Sequence, residues 1–436
     1  MESRVNGYAG DGSYPASYYV ASANLTPTRR SLSGVVETDV CVVGAGYSGL
    51  STALHLAEKG YSVVVVEGAR VGWGASGRNG GQIVNGLNAS LHTIEKRYGP
   101  EFGGFVGGMV QEGGEIIRET VRKYGIECDL KSGNLFAVFN ARQMRELEAK
   151  QELWRKYGMD DHELLGREEI RRHVGTDVYI GGMIDHSGGH MHPLNLSLGE
   201  AAAVERNGGE IFELSPVTSV NCEGDNPGIT TAEGEVRCRK LVICGNAYLG
   251  KVVRPLTPRI MPVSTQMIAT EPLGADRASE LLPTDLCVED TRYVLDYYRL
   301  SADKRLLFGG GTVYGGTDPS DIRSKLRPNM EKIFPGLEGV RIDYAWSGNF
   351  ALSFSRVPQM GRLGPNTYFA HGYSGHGVTA SHVFGRILSE AIDGDTRRFD
   401  VFSKVRWFPF PGGRRFREQY CMIGSWWYAM RDSLGV

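Results

Sequence analysis

The first part of the chain alternates between short apolar runs and a stretch with helical spacing. Residues 39–43 and 63–66 are Val-rich runs, which is typical of strands buried on both faces of a parallel sheet. Between them one helical face is apolar, formed by Leu50, Ala53, Leu54 and Ala57. Gly60 then ends the helical stretch. The pattern predicts a strand–helix–strand unit.

Further along, helical and strand-like patterns separate into blocks. The spacing of apolar residues predicts helices over 91–124, 142–157, 163–173, 193–207 and 322–334. Apolar runs predict strands over 210–214, 217–222 and 240–244. Residues 260–315 alternate as antiparallel strands do, and the aromatic-rich tail ends in a predicted helix. Strand–helix–strand sequence therefore brackets an antiparallel insert.

These blocks predict an α/β fold with two domains. A nucleotide-binding domain is expected to combine the discontinuous segments 36–90, 180–255 and 340–400. The remaining segments, 91–179 and 256–339, are expected to form a substrate domain. We expect an extended N-terminal arm at 1–35 and a C-terminal tail at 401–436. A chain of 436 residues is long enough for two such cores.

The composition is that of an ordinary enzyme, with 41% hydrophobic and 22% charged residues. The formal net charge of -2 gives no reason to expect nucleic acid or an anionic membrane as a partner. No run approaches the ~18 apolar residues of a membrane-spanning helix, and residues 1–33 lack the apolar core of a signal peptide. The seven cysteines show no CxxC spacing, which disfavours disulfides or a zinc site. We therefore expect a cytoplasmic protein.

Residues 44–49 read GAGYSG, a GxGxxG pattern between the first buried strand and its helix. In this setting Gly44 makes the tight turn, Gly46 admits a pyrophosphate and Gly49 allows close helix–strand packing. The free N–H groups at the start of the helix bind phosphate. Glu67 ends the second strand, where an acid can accept hydrogen bonds from ribose hydroxyls. The sequence therefore predicts a dinucleotide site.

The loop at 73–82, WGASGRNGGQ, distinguishes between the two dinucleotides that share this pattern, NAD and FAD. FAD continues past the pyrophosphate into a ribityl chain and a flat ring. Glycines along the loop would let main-chain N–H groups approach that ring. Ser76 can bond a phosphate, while Arg78 and Asn79 can orient the loop. These features favour FAD.

Four phrases resemble the D-amino-acid oxidase superfamily of FAD-dependent amine oxidoreductases: GAGYSGL, VVVVE, GASGRNGGQ and FAHGYSGHGVT. Four more are similar to the gamma-glutamylputrescine oxidases within it: SYYVASAN, SGGHMHPLNL, LDYYRL and GSWWYAMRDSLG. The resemblance implies a Rossmann-like FAD domain with an inserted, mostly antiparallel α+β substrate domain. It also implies oxidation of the primary amine of a gamma-glutamyl polyamine to the aldehyde, by hydride transfer to flavin N5, in polyamine catabolism and putrescine utilisation.

The resemblance further implies which residues bind the cofactor. Residues 44–49 would bind the pyrophosphate, Glu67 the ribose, the backbone of Val217 the adenine, and the helix start after Gly372 the flavin pyrimidine oxygen. The full set is Gly44, Gly46, Tyr47, Ser48, Gly49, Glu67, Gly68, Arg70, Gly74, Ala75, Ser76, Gly77, Arg78, Asn79, Gly80, Gly81, Gln82, Val217, Gly245, Gly372, Gly375, His376, Gly377, Val378 and Thr379.

We expect the FAD to be bound non-covalently. Some sarcosine oxidases tether FAD through a cysteine late in the chain, but no cysteine lies here between Cys287 and Cys421. The glycine-rich loop has no histidine that could serve instead.

The segment GNFALSFSRVPQMG carries the expectation about the substrate. Amino-acid oxidases of the superfamily have a pattern like GLRPxTPDGLPxIG, whose arginine clamps the substrate carboxylate. Phe350 stands at that position here. Because a buried carboxylate left unpaired is costly, the oxidised carbon should carry no neighbouring carboxylate. The substrate therefore resembles an unbranched amine with its negative charge further away.

Several aromatic and histidine side chains are candidates for contact with a cationic alkylamine. The candidates are Tyr297, Tyr298, Trp346, Phe350, His192, His376, Trp426 and Trp427. One of the adjacent tyrosines should face the site, because strand neighbours point to opposite faces. His190 and His192 form an HxH pair with no third ligand, so no metal is expected. No general base is identified.

The sequence leaves alternatives open. One is an oxidase or dehydrogenase of a small amino acid of the glycine, sarcosine or D-amino-acid type, and another is a non-catalytic FAD-binding module. A reductase using NAD(P)H would need a second nucleotide fingerprint, which GGGTVYGG near 309 is not. In sarcosine oxidases a lysine beside the flavin helps oxygen react, and Leu307 aligns with it. A leucine there weakens the expectation of an oxidase, so the electron acceptor is left open between oxygen and another acceptor.

Overall fold

The computed structural model describes the backbone of residues 11–434, and their side chains except at 110, 414, 428, 429 and 431–434. The strands are β1 (Gly34–Val43), β2 (Val63–Val66), β3 (Gln82–Ile83), β4 (Lys131–Val138), β5 (His162–Gly166), β6 (Gly181–His190), β7 (Glu210–Phe212), β8 (Ser219–Asn221), β9 (Gly228–Thr230), β10 (Gly234–Ile243), β11 (Ile260–Thr270), β12 (Cys287–Asp290), β13 (Tyr297–Leu300), β14 (Leu306–Tyr314), β15 (Ile342–Ser353), β16 (Gln359–Gly364) and β17 (Thr367–His371).

The helices flank these strands and connect them. They are α1 (Tyr18–Ala21), α2 (Tyr47–Ala57), α3 (Leu91–Tyr98), α4 (Pro100–Tyr124), α5 (Ala141–Lys156), α6 (Arg167–Ile170), α7 (Pro193–Arg206), α8 (Ala275–Leu281), α9 (Ile322–Ile333), α10 (Gly377–Ile392), α11 (Arg397–Ser403) and α12 (Gly413–Leu434).

An eight-stranded, mainly parallel sheet carries the predicted strand–helix–strand unit. Its order is β16-β17-β10-β1-β2-β7, with the β8–β9 hairpin beside β10. Strands β17, β10, β1, β2 and β7 run parallel to their neighbours, while β16 is antiparallel to β17. All four residues of β2 are buried, as a strand covered on both faces requires. Helices α2, α7 and α10 pack beside one another next to this sheet.

A nine-stranded sheet forms the second layer. Its order is β15-β11-β14-β13-β12-β4-β6-β3, with β5 on the side of β6. Every pairing is antiparallel except that of β12 with β4. The predicted fold class, a Rossmann-like nucleotide-binding fold with a mostly antiparallel insert, is confirmed.

The two sheets divide the chain at points that differ from the predicted domain boundaries. Strands β3, β6 and β15 pair within the second sheet, although their residues fall in segments predicted to build the nucleotide-binding domain. A chain that passes from one sheet to the other through a glycine-rich loop or a long strand shows no break in its periodicity. The domain boundaries themselves stay a prediction.

The helix predicted at 163–173 is wrong. Residues His162–Gly166 form β5, which pairs antiparallel with the first half of β6, and only Arg167–Ile170 are helical. Pairing with a strand later in the sequence overrides the local pattern here. The helices predicted over 142–157, 193–207 and 322–334 are confirmed to within about one residue at each end.

Residues 1–10 of the predicted N-terminal arm lie outside the described residues, and the rest of the arm, 11–35, is extended only in part. Ser17 caps the short helix α1 by accepting a hydrogen bond from the N–H of Val20, and the side chains of Tyr18 and Tyr19 are buried. The Tyr19 ring meets that of Trp346 edge-on, with 5.2 Å between centroids. These aromatic residues anchor the arm against the second sheet.

Candidate cofactor and substrate site

The glycine-rich turn at 44–49 joins β1 to α2. Gly44 has a φ of +104°, which glycine adopts readily, and its N–H donates to the carbonyl of Val66 at 2.9 Å. A Cβ on Gly49 would overlap the carbonyl oxygen of Gly44. Gly46 is the N-cap residue of α2 and offers no side-chain cap. Helix and strand therefore approach closely, and the start of α2 is left for another group to satisfy.

The glycine-rich loop after β2 closes over this helix end. Ser76 Oγ accepts a hydrogen bond from the N–H of Tyr47 at 3.0 Å, so a hydroxyl stands at the start of α2. Arg78 Nε donates to the carbonyl of Trp73 at 2.8 Å, and the guanidinium lies 4.3 Å from the Trp73 ring centroid. Asn79 Nδ2 donates to two carbonyls of the same loop. These side chains hold the loop in shape.

Glu67 follows β2, and its half-buried side chain lies beside the turn. Its Oε2 accepts from the N–H of Ala45 at 2.8 Å, and its Oε1 accepts from the N–H of Ala69 at 2.9 Å. Burial raises the pKa of Glu67, and the two backbone N–H groups act in the opposite direction. Each carboxylate oxygen keeps a lone pair that a ribose hydroxyl can use.

One cavity extends from this turn to the second sheet. The predicted cofactor residues on its wall are Gly44, Gly46, Tyr47, Ser48, Glu67, Gly68, Gly74, Ala75, Ser76, Arg78, Asn79, Gly80, Gln82, Val217, Gly245, Gly375, His376, Gly377 and Val378. The other predicted cofactor residues, Gly49, Arg70, Gly77, Gly81, Gly372 and Thr379, are not on this wall.

Residues behind the wall shape the cavity without facing it. Arg70 Nη1 lies 3.3 Å from the buried carboxylate of Glu213. Thr379 Oγ1 donates at 2.9 Å to the backbone just after β3. A side chain on Gly77 or Gly81 would collide with a nearby backbone carbonyl. These residues contact other parts of the protein, and the cofactor contacts that the sequence predicts for them stay a prediction.

Helix α10 begins at the cavity wall, which places its positive end there. Its N-cap residue His376 is half-buried, and desolvation lowers the pKa of His376 to about 4. The imidazole is therefore neutral at pH 7, with its Nδ1 3.4 Å from Asn88 Nδ2. Phe350 of β15 lines the same cavity.

The two adjacent tyrosines point to opposite faces, as the strand period requires. Tyr297 lines the cavity, and its ring packs so close to Gly80 that a Cβ there would lie 2.7 Å from it. Tyr298 is 1% exposed in the core beneath the second sheet, where it stacks on Phe308. Its hydroxyl donates to Tyr179 Oη at 2.9 Å. Tyr298 is therefore a core residue, and of the two candidate tyrosines Tyr297 is the one that faces the cavity; its contact with substrate stays a prediction.

Trp346 and His192 are also buried away from the cavity wall. Trp346 Nε1 donates to the carbonyl of Arg78 at 3.0 Å, behind the glycine-rich loop. His192 caps α7, where its Nδ1 accepts from the N–H of Asn195 at 3.1 Å. Burial lowers the pKa of His192 to about 3. Both side chains lie behind the wall, and their predicted role in the substrate site stays a prediction.

Two further expectations concern the tail and the HxH pair. Trp426 and Trp427 are exposed on α12 and do not line the cavity. His190 Nε2 lies 2.8 Å from the carbonyl of Asp285, whereas His192 Nε2 lies 3.1 Å from Ser22 Oγ. The two imidazoles thus have separate partners, and no group of three metal-ligating side chains exists in the described part of the chain.

Sequence reasoning missed much of the wall that the second sheet supplies. The missed side chains include Thr265, Glu289, Tyr293, Tyr314 and Arg356, and Asn246 and Tyr248 on the first sheet's side. They come from separate strands and connections, so no local motif marks them. Glu289 stands directly opposite Tyr297 across the β12–β13 pair. Only the cross-strand register brings them together, and that register is not evident from the sequence.

Comparison with known proteins shows the family to which this chain belongs. Residues 39–391 match the model of the DAO family, described as FAD dependent oxidoreductase. The chain belongs to this family. It is 50% identical over 425 residues to the gamma-glutamylputrescine oxidoreductase of Escherichia coli, covering 97% of this chain and 99% of that one. It is 39% identical over 421 residues to a probable oxidoreductase, OrdL, of Haemophilus influenzae, covering 95% and 97%.

Solved structures of the family share the fold at low identity. Glycine oxidase from Geobacillus kaustophilus superposes with a TM-score of 0.70 at 18% identity, covering 82% of this chain and 95% of that one. L-proline dehydrogenase from P. horikoshii gives a TM-score of 0.69 at 22% identity, covering 83% and 95%. The resemblance inferred from the sequence is confirmed, and so is the assignment as an FAD-dependent oxidoreductase.

The cavity fits the FAD of this family. A Cβ on Gly46 would lie 2.9 Å from Ser76 Oγ, so that glycine keeps open the space between the helix start and the loop. Val217 and Gly245 line the same cavity beside the first sheet, and the start of α10 lines it as well. The wall thus offers two helix N-termini, which suit phosphates and an electron-rich ring.

None of the described helices is long and apolar enough to cross a membrane. The cytoplasmic location expected from the sequence stays a prediction.

Proposed function

We propose that this protein oxidises the primary amine of gamma-glutamylputrescine, or of a related gamma-glutamyl polyamine, to the aldehyde. The observation that carries the proposal is the 50% identity with gamma-glutamylputrescine oxidoreductase of Escherichia coli, which extends over 97% of this chain. Similarity over that length includes the second sheet, which supplies the substrate wall, as well as the cofactor motifs. The proposal therefore concerns the substrate and not only the cofactor.

Phe350 supports an amine rather than an amino acid as the substrate. Its ring lines the cavity where the amino-acid oxidase pattern has an arginine. Arg78 and Arg356 are the arginines on the described wall, and Arg78 is held by its own loop. A carboxylate on the reacting carbon would therefore lie beside an apolar ring. That arrangement disfavours glycine, sarcosine and D-amino acids.

The wall residues suit an alkylamine chain. When bound, FAD supplies the hydride acceptor. Tyr297 and Phe350 offer ring surface against which the methylene groups of the substrate can pack and exclude water. His376 is neutral at pH 7, so it does not repel a cationic amine. The start of α10 favours negative charge that develops beside it.

We also propose that the FAD is held non-covalently. Cys244 is the cysteine on the described wall, and it lies beside Gly245 at the end of β10. Burial raises the pKa of Cys244 to about 12, so its thiolate is strongly disfavoured. Acid precipitation should release the flavin into the supernatant, and flavin retained in the pellet would contradict the proposal.

The electron acceptor must be decided independently of Leu307. That side chain is fully buried in β14, opposite Arg299 and Ala269, and is not on the cavity wall. Its identity therefore carries no argument about oxygen. Reoxidation of the reduced protein by oxygen and by an artificial acceptor, measured side by side, distinguishes an oxidase from a dehydrogenase.

The substrate is tested by anaerobic bleaching of the bound flavin. We expect gamma-glutamylputrescine to bleach it at least about tenfold faster than putrescine at equal concentration, because contacts remote from the reacting carbon help to position it. Glycine, sarcosine and D-alanine should bleach it very slowly. Equal rates for putrescine and its glutamyl derivative would remove the glutamyl assignment. Rapid bleaching by glycine would remove the argument from Phe350, and no bleaching by any amine would favour a non-catalytic module.

A further inference from the structure

Two charged side chains on the cavity wall have no part in the function as proposed so far. Glu289 belongs to β12 in the second sheet, and Arg356 follows β15. They carry opposite charge and differ in burial, since Glu289 is 8% exposed whereas Arg356 is only half-buried.

Glu289 is a buried carboxylate that lacks a protein partner. No hydrogen bond or ion pair to its side chain exists among the described residues, although leaving such a group unpaired is costly. It shares a sheet face with Tyr297, its cross-strand neighbour. Gln82, at the end of the glycine-rich loop, donates from Nε2 to the carbonyl of Val288 at 3.0 Å. The strand backbone next to Glu289 is therefore hydrogen-bonded to the loop predicted to line the flavin.

The charged groups around Glu289 leave it available to a cationic ligand. Burial raises the pKa of Glu289 to about 7, Lys150 acts to lower it and Asp290 to raise it. The Lys150 ammonium lies over the rings of Phe136 and Trp154, at 3.7 and 4.4 Å from their centroids. Asp290 is paired with Arg292. None of these groups forms a hydrogen bond with Glu289 in the described structure.

Arg356 has the opposite character. Its Nη2 donates to Tyr293 Oη at 2.9 Å, and no carboxylate pairs with it among the described residues. Its φ of +63° is a left-handed conformation that glycine adopts more readily. Tyr293 is 38% exposed, so this pair lies nearer to solvent than Glu289 does. A guanidinium with a phenol beside it is well suited to bind a carboxylate.

We propose that the cavity holds its substrate by both ends. Glu289 receives the ammonium group beside the carbon to be oxidised, and Arg356 with Tyr293 binds the α-carboxylate of the glutamyl end. This inference rests on the function proposed above, and it supplies the basic partner for the glutamyl carboxylate that the sequence does not identify.

Glu289 also has the chemistry of a base for this step. An alkylamine arrives as the ammonium ion, but its carbon can give up a hydride only when the nitrogen lone pair is free. A proton moves from the substrate nitrogen to a carboxylate oxygen of Glu289, so the N–H bond breaks and an O–H bond forms. Bound FAD would serve as the acceptor for the α-carbon hydrogen with its electron pair, and the freed nitrogen lone pair would form the C=N bond of the iminium ion.

Glu289→Gln tests the amine end. The variant should bind FAD normally and reduce it at least about a hundredfold more slowly with gamma-glutamylputrescine, as loss of a general base requires. In the wild type the rate of flavin reduction should increase as the pH is raised through 7, and this pH dependence should be absent in the variant. Glu289→Asp should restore part of the rate. Glu163→Gln, on the exposed edge strand β5, is the control. A variant that reduces FAD at the wild-type rate with an unchanged pH profile would overturn the role of Glu289.

Arg356→Gly tests the carboxylate end, because glycine accepts the left-handed backbone and the variant should fold. KM for gamma-glutamylputrescine should rise about tenfold to a hundredfold, while the slower rate with putrescine should not change. Lys304→Gly is a matched control, since Lys304 has a φ of +62° and is not on the cavity wall. Lys304→Gly should leave KM and the rate unchanged with both substrates. Equal losses for both substrates in Arg356→Gly would overturn the role of Arg356.

The wild-type protein separates failure of this inference from failure of the proposed function. If the wild type does not prefer gamma-glutamylputrescine to putrescine, the proposed function fails, and the carboxylate end of the inference fails with it. If the wild type shows the preference and Arg356→Gly keeps it, only the assignment of Arg356 fails.

Discussion

The two ends of the cavity are built in different ways. At the cofactor end, one turn and one loop that are close in sequence supply glycines, backbone N–H groups and a carboxylate, Glu67, that already accepts two hydrogen bonds. At the substrate end, side chains converge from separate strands, and the carboxylate of Glu289 has no protein partner among the described residues. The carboxylate at the first end already has partners within the protein, whereas the second end leaves charged side chains for a ligand to satisfy.

This difference separates what the family shares from what a member adds. Backbone groups on a glycine-rich turn can bind phosphates in any sequence that keeps the turn, so they depend little on the identity of the surrounding side chains. Side chains such as Phe350 and Arg356 can change without altering the sheet. We therefore expect substrate choice to depend on the second end, and each end to be open to separate disruption.

The largest effect should follow from closing the cofactor end. In Gly46→Val the first added carbon already lies 2.9 Å from Ser76 Oγ, and the remaining methyl groups would occupy the space left for the pyrophosphate. We expect the purified protein to lose nearly all of its FAD and its activity. Flavin absorbance per chain measures this loss. Gly108→Val, where an added Cβ meets nothing within 4 Å on the exposed side of α4, should keep its flavin. Full flavin content in Gly46→Val would show that the phosphates bind elsewhere.

The cofactor end could be predicted from the sequence because its information is local. Gly44, Gly46, Ser76 and Arg78 lie within two short segments, and the apolar runs on either side fix their secondary structure. The fold class followed from the same periodicity. The segment at 163–173 shows the limit, because pairing with β6 converts its first residues into a strand that the local pattern does not reveal.

The substrate end could be predicted only in part. Phe350 was found because a pattern of known spacing surrounds it, and Tyr297 because strand alternation limits the choice to one of two residues. Side-chain chemistry suggests Trp346 and family resemblance suggests His192, yet both are buried behind the wall. Glu289 was missed because its place opposite Tyr297 depends on strand register. Register is set by long-range packing, which single-sequence patterns do not contain.

A smaller effect is expected at Phe350, which is at the substrate end. Phe350→Arg puts a guanidinium where the ring lines the cavity, so a cationic amine would meet a like charge. The value of kcat/KM for gamma-glutamylputrescine should fall about tenfold to a hundredfold, since each ~1.4 kcal/mol is about tenfold in rate. Phe350→Leu keeps the wall apolar and should lose much less. Equal losses in the two variants would mean that ring shape, rather than the absence of charge, is what matters at this position.

Substitutions of the two adjacent tyrosines should have different effects, one on kinetics and the other on stability. Tyr297→Leu removes a ring from the cavity wall, so kcat/KM should fall about tenfold with little change in melting temperature. Tyr298→Phe removes a buried hydrogen bond to Tyr179, so it should lower stability by ~1 kcal/mol and leave kinetics unchanged. Steady-state kinetics and thermal unfolding of both variants check this. A kinetic defect in Tyr298→Phe without loss of stability would contradict its position in the core.

The smallest effect contrasts two buried carboxylates. Glu200 of α7 accepts a hydrogen bond from His382 Nε2 at 2.7 Å, whereas Glu289 has no such partner in the described structure. Glu200→Gln should therefore lower the free energy of unfolding by ~1–3 kcal/mol, the cost of a disturbed buried hydrogen bond, and the melting temperature should fall with it. Glu289→Gln should not, because an amide removes a charge that burial disfavours.

The sign of the pH dependence makes this contrast measurable. The pKa of Glu289 in the folded protein is raised to about 7 by burial, from an ordinary value of 4.5. The folded state therefore holds a proton that the unfolded state has lost, and this stabilisation is complete below about pH 4.5 and disappears as pH rises through 7. Glutamine has no such loss, so the melting temperature of the variant relative to wild type should increase by a few degrees from pH 5 to pH 8. If the difference in melting temperature between variant and wild type stays constant over this range, Glu289 is already paired within the protein. The carboxylate at the substrate end would then resemble Glu67 at the cofactor end, which has its hydrogen-bond partners within the protein.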